Sequence, residues 1–151
     1  HALEALRQAQ GSTPEVIVFL QCTSPCMLPE DIDRAVRLLT EEQADCAFSV
    51  TPFHGFLWQR DNAGEAVAVN HDSSRRLPRQ MCPPHYLENG AIYCLRTDGF
   101  LRARHRFFGK TVMSVMPLER SLEIDEPIQA QLAEVLLQHR SQQEVQHATR
   151  D

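Results

Sequence analysis

The sequence predicts an α/β fold in which helices cover a largely parallel sheet. Two apolar runs predict strands at 15–21 and 46–53, and an amphipathic segment between them predicts a helix at 29–43. The order strand, helix, strand is typical of a right-handed parallel crossover. With 151 residues the chain is long enough to bury a core, so we expect one domain over residues 1–151.

The elements of the first third follow from apolar spacing and from helix-end signals. Residues 1–10 predict a helix that begins in mid-fold, since the chain starts with His rather than Met. The run 15–21 is apolar on both faces, as in a buried central strand. Pro29 and the acidic residues after it suit the first turn of the next helix. The apolar face of that helix consists of Ile32, Val36 and Leu39.

The rest of the chain combines an excursion with further strands and helices. Residues 56–69 predict a hairpin, and the irregular stretch 71–84 follows. We interpret residues 55–85 as an excursion from the core. The remaining predicted elements are a strand at 85–95, a helix at 98–104, a strand at 110–117 and a last helix from Glu126. The polar end of that helix is expected to fray after Gln138, and its apolar face consists of Ile128, Leu132 and Val135.

Composition and charge restrict the classes of function. The formal net charge of -5 argues against general nucleic-acid binding, although Arg75, Arg76 and Arg79 could hold one anionic group. No apolar run approaches the roughly 20 residues that a membrane span needs, and the first residues lack the pattern of a signal peptide. The five cysteines fit neither a paired framework nor zinc knuckles. We therefore expect a cytoplasmic protein with reduced thiols and with neither nucleic-acid nor membrane partners.

Polar side chains follow the first predicted strand, at the edge where open parallel sheets bind ligands. Gln21, Thr23 and Ser24 stand at this position and could contact a polar ligand. The two hydroxyls could instead satisfy backbone groups of a turn, as serine and threonine commonly do. Both interpretations stay open from the sequence alone.

Two carboxylates form a second candidate site within ERSLEID, residues 119–125. In an extended segment, Glu123 and Asp125 would project to the same side and could share a hydrated magnesium ion. Alternatively, Asp125 caps the helix that Glu126 opens.

Two further segments carry weaker signals. Asn89 and Gly90 interrupt the strand pattern of YLENGAIY, which indicates either the close approach of a ligand or a bulge. In RHRFFGK, Phe107 and Phe108 are either core residues or a platform for a ligand.

Taken together, these segments resemble one enzyme family. LQCTSP…EDID, RQMCPPHYLENGAIY and FFGKTV…VMPLERSLEIDEP…LAE are similar to the CMP-sialic acid synthetases, or acylneuraminate cytidylyltransferases, over nearly the whole chain up to Glu134. LQCTSP resembles the sialic acid branch more than the related CMP-Kdo synthetases. The resemblance implies a three-layer, Rossmann-like (GT-A-like) nucleotidyltransferase sheet that is truncated at its amino terminus in this chain.

The resemblance also implies an activity and a set of substrate contacts. Members of the family transfer CMP from CTP to a nonulosonic, sialic-type sugar acid and release pyrophosphate. Glu123 and Asp125 would be the catalytic, metal-binding pair, with Mg²⁺ as the cofactor. The substrate contacts would come from Gln21, Thr23, Ser24, Arg79, Asn89, Tyr93, Phe107 and Phe108.

Arg79 would face the carboxylate of the sugar acid, since a planar guanidinium pairs with a carboxylate through two parallel hydrogen bonds. In the family, the excursion that contains Arg79 is a dimerisation lobe that reaches into the site of the partner. The resemblance therefore implies a homodimer through residues 55–85.

Three departures from the family pattern affect the expected activity. Glu123 replaces the first aspartate of the family's D-x-D metal pair, and Cys22 replaces the proline of QPTSP. None of the six glycines lies in the Gly-, Arg- and Lys-containing loop that wraps the triphosphate in the family. Because nucleotidyl transfer needs cations at the phosphates, we expect this chain alone to be catalytically deficient.

Two alternatives remain beside this expectation. The chain could be a non-catalytic dimeric module that binds a sugar acid or a partner protein. It could also belong to a cytidylyltransferase for a related acid, namely legionaminic acid, pseudaminic acid or Kdo.

Overall fold

The computed structural model describes residues 1–148 and divides the chain into two compact units. The first unit combines His1–Thr51 with the segment from Glu88 onward, and the second is Pro52–Leu87. The second unit thus includes the whole of the predicted excursion, residues 55–85.

Every predicted helix and strand is present, with small differences at the ends. The helices are α1 (Ala2–Gln10), α2 (Pro29–Glu41), α3 (Thr97–Ala103) and α4 (Pro127–Ala148). The strands are β1 (Val16–Leu20), β2 (Cys46–Phe53), β3 (Trp58–Arg60), β4 (Ala66–Ala68), β5 (His85–Arg96) and β6 (Thr111–Val115). Short 3₁₀ turns lie at Arg79–Met81 and Leu118–Arg120.

The first unit is built on a mixed four-stranded sheet in the order β1-β5-β2-β6. The predicted α/β class is confirmed. β2 and β6 pair in parallel, with Cys46 opposite Thr111, whereas β1 and β5 pair antiparallel, with Val16 opposite Arg96. β5 therefore lies between the two strands that the predicted crossover connects, and β1 and β2 are not direct neighbours.

Alternating residues of the sheet face two separate apolar clusters. On one face, Ala47 and Ile92 pack with Ala35 and Leu39 of α2, and all four are fully buried. On the other face, a second cluster is built from Cys46, Tyr93, Leu95, Phe48, Phe100, Phe107 and Phe108. Because strand side chains alternate between faces, this division shows that the sheet is covered on both sides, as in a three-layer α/β protein.

The expectation that β1 is a buried central strand is wrong. β1 lies at an edge of the sheet, and Val18, Phe19 and Leu20 are 39%, 49% and 43% exposed. An apolar run predicts a strand from its composition, but it does not determine how many neighbours that strand has.

The apolar face of α4 is exposed, and the helix extends further than expected. Ile128, Leu132 and Val135 are 60%, 50% and 63% exposed, whereas Ala133 is buried. The helix also continues beyond Gln138 to Ala148 rather than fraying. A hydrogen bond of 3.2 Å from the Arg140 guanidinium to the carbonyl of Cys26 holds this part of the helix.

The second unit contains the predicted hairpin, formed by β3 and β4 in antiparallel pairing. Oδ1 of Asp61 accepts hydrogen bonds of 2.9 Å from the backbone N–H groups of Ala63 and Glu65, which closes the turn. Gly64 occupies its left-handed position, with φ at 85°. Among the described residues of both units, no helix is long and apolar enough to cross a membrane.

Candidate functional site

The polar residues after β1 contact the carboxylate-bearing loop 119–125. Nε2 of Gln21 donates a 2.8 Å hydrogen bond to Oε1 of Glu123 and a longer one, 3.4 Å, to Oγ1 of Thr23. The backbone also joins the two segments, since the N–H of Ile124 donates to the carbonyl of Thr23 at 2.8 Å. Two motifs that are far apart in the sequence therefore form one polar surface, which we call the Gln21–Glu123 site.

Gly90 forms the floor of the Gln21–Glu123 site. Its φ is +70°, and a Cβ placed there would lie 2.9 Å from Oε1 of Glu123 and 3.2 Å from Oε1 of Gln21. The sequence predicted either a bulge or the close approach of a ligand at this position. The structure shows the close approach of two side chains of the same protein, and only glycine leaves room for it without a shift.

Ser24 is buried at 1% exposure, next to the Gln21–Glu123 site. Its backbone N–H donates to the carbonyl of Gln21 at 3.2 Å, which closes the turn. Its hydroxyl has no hydrogen-bond partner among the residues that the structure describes. The hydroxyl therefore does not satisfy a turn group, which was the alternative interpretation of this residue.

Asn89 is buried and its amide is used within the protein. Oδ1 accepts hydrogen bonds from the hydroxyl of Ser49 at 2.5 Å and from the N–H of Ala91 at 3.3 Å. Nδ2 donates to the hydroxyl of Ser121 at 3.0 Å. The amide thereby joins β2, β5 and the loop that carries Glu123, which gives it a positioning role.

Tyr93 lies at the centre of an aromatic and charged cluster. Its hydroxyl donates a hydrogen bond to Oε1 of Glu88, and the guanidinium of Arg106 lies 4.5 Å from the centre of its ring. The rings of Phe107 and Phe19 lie 6.2 and 6.1 Å away, centre to centre. Burial, together with the hydrogen bond to Glu88, raises the pKa of Tyr93 to about 12.

The chain is 30% identical over 142 residues to N-acylneuraminate cytidylyltransferase A of Danio rerio and 31% identical over 138 residues to N-acylneuraminate cytidylyltransferase of Oncorhynchus mykiss. Over these residues the chain is similar to the N-acylneuraminate cytidylyltransferases. The resemblance inferred from the motifs is confirmed.

The similarity covers most of this chain but a smaller part of each relative. N-acylneuraminate cytidylyltransferase B of Danio rerio is a third relative, 30% identical over 138 residues. Each alignment includes 88% of this chain and 32% of the relative, so the chain spans about a third of the length of the curated relatives it matches. No protein-family model matches the chain.

The two carboxylates that the resemblance implies as a metal-binding pair, Glu123 and Asp125, differ in their surroundings. Glu123 is half-buried and hydrogen-bonded to Gln21, whereas Asp125 is exposed. The expected cap by Asp125 is not observed, because Oε1 of Gln129 accepts the N–H groups of Asp125 and Glu126 at 2.7 and 2.6 Å. The carboxylate of Asp125 has no hydrogen-bond partner in the described part of the chain and is thus open to a ligand.

The two carboxylates of Glu123 and Asp125 suit magnesium better than a metal ion that needs three or more protein ligands. Among the side chains that the structure describes, no group of three or more His, Cys, Asp and Glu residues is arranged to hold a metal ion. Mg²⁺ keeps several waters and is commonly bound through one or two carboxylates and substrate phosphates. Glu123 and Asp125 fit that requirement by their chemistry.

The remaining residues that the family resemblance implies lie in two places. Phe107 packs edge-on against Phe48 at 5.1 Å, and the ring of Phe108 lies directly against Gly99. Both phenylalanines therefore contribute to the core of the first unit, and Phe107 also contacts Tyr93. Arg79 belongs to the second unit.

Sequence reasoning missed three groups around the site. Glu88 and Arg106 contact Tyr93, and they stand directly before residues that were recognised, Asn89 and Phe107. The third is the buried ion pair of Asp31 with Arg120, whose Nη2 lies 2.9 Å from the Asp31 carboxylate. It joins the start of α2 to the 3₁₀ turn before Glu123. The sequence carries no local signal of this pairing.

Proposed function

We propose that this chain is an acylneuraminate cytidylyltransferase-like protein whose first unit binds a nonulosonic, sialic-type sugar acid for the transfer of CMP from CTP. The observation that carries the proposal is the contact of Gln21 with Glu123 above Gly90. These three residues belong to the three motifs that resemble the family. The similarity to N-acylneuraminate cytidylyltransferases supports the same substrate class.

In the proposed reaction, the anomeric hydroxyl oxygen of the sugar acid attacks the α-phosphorus of CTP, and pyrophosphate leaves. The side-chain amide of Gln21 donates one N–H to Glu123. Its side-chain carbonyl oxygen therefore stays available to accept a hydrogen bond from a sugar hydroxyl. The hydroxyl of Thr23, next to this amide, offers a further donor and acceptor. Such a surface suits a polyhydroxylated ligand.

Magnesium is the cofactor that we propose for this site. Glu123 and Asp125 would hold it, and when bound it would neutralise charge on the phosphates of CTP. The hydrogen bond from Gln21 fixes one oxygen of Glu123 before any ligand arrives. The hydrogen bond thereby holds the side chain of Glu123 in one position, although this side chain is longer than the aspartate that the family has there.

We further propose that these 151 residues, when isolated, bind the sugar acid without turning over CTP. Among their six glycines none belongs to a basic, glycine-rich triphosphate loop. The proposal includes a homodimer through residues 55–85, in which Arg79 would reach the carboxylate of a sugar acid held by the partner protomer.

Isothermal titration calorimetry of the 151-residue chain with N-acetylneuraminate, and separately with CTP and Mg²⁺, tests the proposal. We expect binding of the sugar acid, no binding of CTP and no pyrophosphate release when all components are combined. Gln21→Ala should weaken sugar-acid binding by about tenfold, the size of one hydrogen-bonding contact to a charged or polar group. Gln8→Ala is the matched control, since Gln8 is an exposed glutamine of α1.

The possible outcomes separate the alternatives. Tighter binding of legionaminic acid, pseudaminic acid or Kdo in competition would assign a related sugar acid. Failure to bind any of these acids would contradict the proposed substrate class and favour a non-catalytic interaction module. Pyrophosphate release at an ordinary enzymatic rate would refute the proposed deficiency. Light scattering after size-exclusion chromatography measures the dimer directly.

A further inference from the structure

Tyr93 is covered by two charged side chains of the first unit. It is 2% exposed, its hydroxyl donates a hydrogen bond to Oε1 of Glu88, and the guanidinium of Arg106 lies over its ring, 4.5 Å from the centre. The family resemblance implies that Tyr93 contacts the substrate. In this chain, the groups that reach the surface at this position are instead Glu88 and Arg106, which are both exposed.

A local turn places Arg106 over the tyrosine ring. Nδ1 of His105 accepts a hydrogen bond of 3.1 Å from the N–H of Phe107, so the two residues that flank Arg106 are joined. Phe107 also contacts Tyr93, with 6.2 Å between the ring centres. A guanidinium that stacks on an aromatic ring keeps its N–H edges available for other partners. In the part of the chain that the structure describes, no hydrogen bond or ion pair uses the N–H groups of the Arg106 guanidinium.

Glu88 provides hydrogen-bond acceptors beside these donors. Its Oε1 accepts the hydroxyl of Tyr93, and its second carboxylate oxygen has no hydrogen-bond partner among the described residues. An ionised carboxylate accepts hydrogen bonds and donates none. Tyr93 therefore holds a group of donors and a group of acceptors next to each other, which we call the Glu88–Arg106 pair.

The charges around Tyr93 determine which ligand group suits the Glu88–Arg106 pair. Burial and the hydrogen bond to Glu88 are the main causes that raise the pKa of Tyr93 to about 12, the charge of Arg106 opposes them, and the charge of Glu123 raises the pKa further. Two carboxylates and one guanidinium thus act on the same tyrosine. This excess of negative charge repels a carboxylate or a phosphate, whereas a neutral hydroxyl group can donate to Glu88 and accept from Arg106.

We propose that the Glu88–Arg106 pair binds hydroxyl groups of the sugar acid, and that Tyr93 positions the pair without touching the substrate. The inference rests on the proposed function and deepens it, because it assigns the polyhydroxylated part of the substrate to two residues that the resemblance does not implicate. Two neighbouring hydroxyls fit the pair, since one accepts from a guanidinium N–H and the other donates to the carboxylate. Both hydrogen bonds involve a charged partner, which makes them stronger than bonds between neutral groups.

Calorimetry of the 151-residue chain with N-acetylneuraminate and with its methyl ester tests this inference. The ester lacks the negative charge of the acid and keeps its hydroxyl groups. We expect Arg106→Met and Glu88→Ala each to weaken the binding of both ligands by about tenfold, the effect of one lost hydrogen bond to a charged group. Arg102→Met is the matched control and should leave both affinities unchanged, because Arg102 is an exposed arginine of α3 outside the pair.

The positioning role of Tyr93 is tested by a double-mutant cycle. If Tyr93 acts through Glu88, Tyr93→Phe weakens the binding of N-acetylneuraminate in the otherwise unmodified chain and adds no further loss to the Glu88→Ala variant. Additive losses would show that the hydroxyl of Tyr93 contacts the substrate directly, which would contradict this role.

Three results would overturn the inference: unchanged binding in the Arg106→Met and Glu88→Ala variants, a loss confined to the acid, or no binding of the ester by the unmodified chain. The last two would show that this surface recognises the carboxylate of the ligand. In each of these cases the unmodified chain still binds N-acetylneuraminate, so the proposed function stands. Absence of any binding of N-acetylneuraminate by the unmodified chain would contradict the proposed function and this inference together.

Discussion

The side-chain amide of Gln21 donates a 2.8 Å hydrogen bond to the carboxylate of Glu123, which stands 102 positions later in the chain. The contact passes over Gly90, where any Cβ would collide with the carboxylate. It therefore requires three segments to be correctly folded: the turn after β1, the middle of β5 and the loop before α4. The affinity for a ligand that binds next to this contact would therefore depend on the packing of all three segments.

Removal of either carboxylate should weaken the binding of a divalent cation. The substitutions Glu123→Gln and Asp125→Asn keep the approximate shape of the side chain and remove its charge. The affinity for Mn²⁺ should therefore fall by about tenfold or more in each variant. Water proton relaxation measures this affinity. Glu126→Gln is the control, because Glu126 is an adjacent exposed acid outside the proposed pair. Equal losses in all three variants would show diffuse attraction to acidic residues rather than a site.

Substitution of Gly90 should destabilise the first unit more than substitution of Gly11. Gly11 has the same backbone conformation, but it has free space where a Cβ would lie. Gly90 and Gly11 have φ values of +70° and +73°, but a Cβ at Gly11 meets nothing within 4 Å. Gly11→Ala should cost about 1–2 kcal/mol, the cost of a left-handed alanine. Gly90→Ala adds the displacement of Glu123, so we expect about 1 kcal/mol more.

Urea denaturation measures both effects on the free energy of unfolding. The difference between the two variants isolates the contact from the backbone strain. Equal losses would show that Glu123 moves away from Gly90 without cost, and the contact with Gln21 would then not be rigid.

The local elements were predictable, but the neighbours of each element were not. The run Val16–Leu20 has the composition of a buried strand, yet it lies at an edge, because β5 pairs with it on one side only. Similarly, Ile128, Leu132 and Val135 share a helical face that the structure leaves exposed. Spacing identifies an apolar face, whereas tertiary packing determines what covers it.

The candidate site was predictable only where residues belong to short recognisable motifs. Gln21 and Glu123 were each identified within a motif, but no local pattern indicates that they form a hydrogen bond. Asn89 was recognised as an interruption of a strand, and the structure shows its amide engaged by Ser49 and Ser121. Contacts between distant segments of this kind depend on the complete fold.

Breaking the ion pair of Asp31 with Arg120 should lower the stability of the protein strongly. Asp31 is fully buried, and its carboxylate accepts bonds from Nη2 of Arg120 at 2.9 Å and from the N–H of Leu28 at 3.0 Å. Arg120→Ala leaves a buried charge without its cation, for which we expect a loss of about 3 kcal/mol in the free energy of unfolding. The measurement is again urea denaturation.

Arg34 provides the matched control for Arg120. Its Nη1 lies 4.0 Å from the same carboxylate and its side chain is 39% exposed, so solvent screens the interaction. Arg34→Ala should cost less than about 1 kcal/mol. A loss as large as that of Arg120→Ala would contradict the assignment of Arg120 as the principal partner of Asp31.

Tyr93 should titrate far above an ordinary tyrosine while the protein is folded. Burial and the hydrogen bond to Glu88 raise its pKa to about 12, whereas the value in an unfolded chain is about 10. The unfolded state therefore loses this proton first, so the contribution of Tyr93 to stability is complete below pH 10 and is lost as the pH rises toward 12.

The chain has two tyrosines, so Tyr86→Phe leaves Tyr93 as the single tyrosinate signal in ultraviolet absorbance. We expect its midpoint near 12 together with a fall in the free energy of unfolding above pH 10, and Tyr93→Phe should abolish that part of the pH dependence. A midpoint near 10 in the folded protein would show that the hydroxyl is open to solvent and that the contact with Glu88 does not hold it.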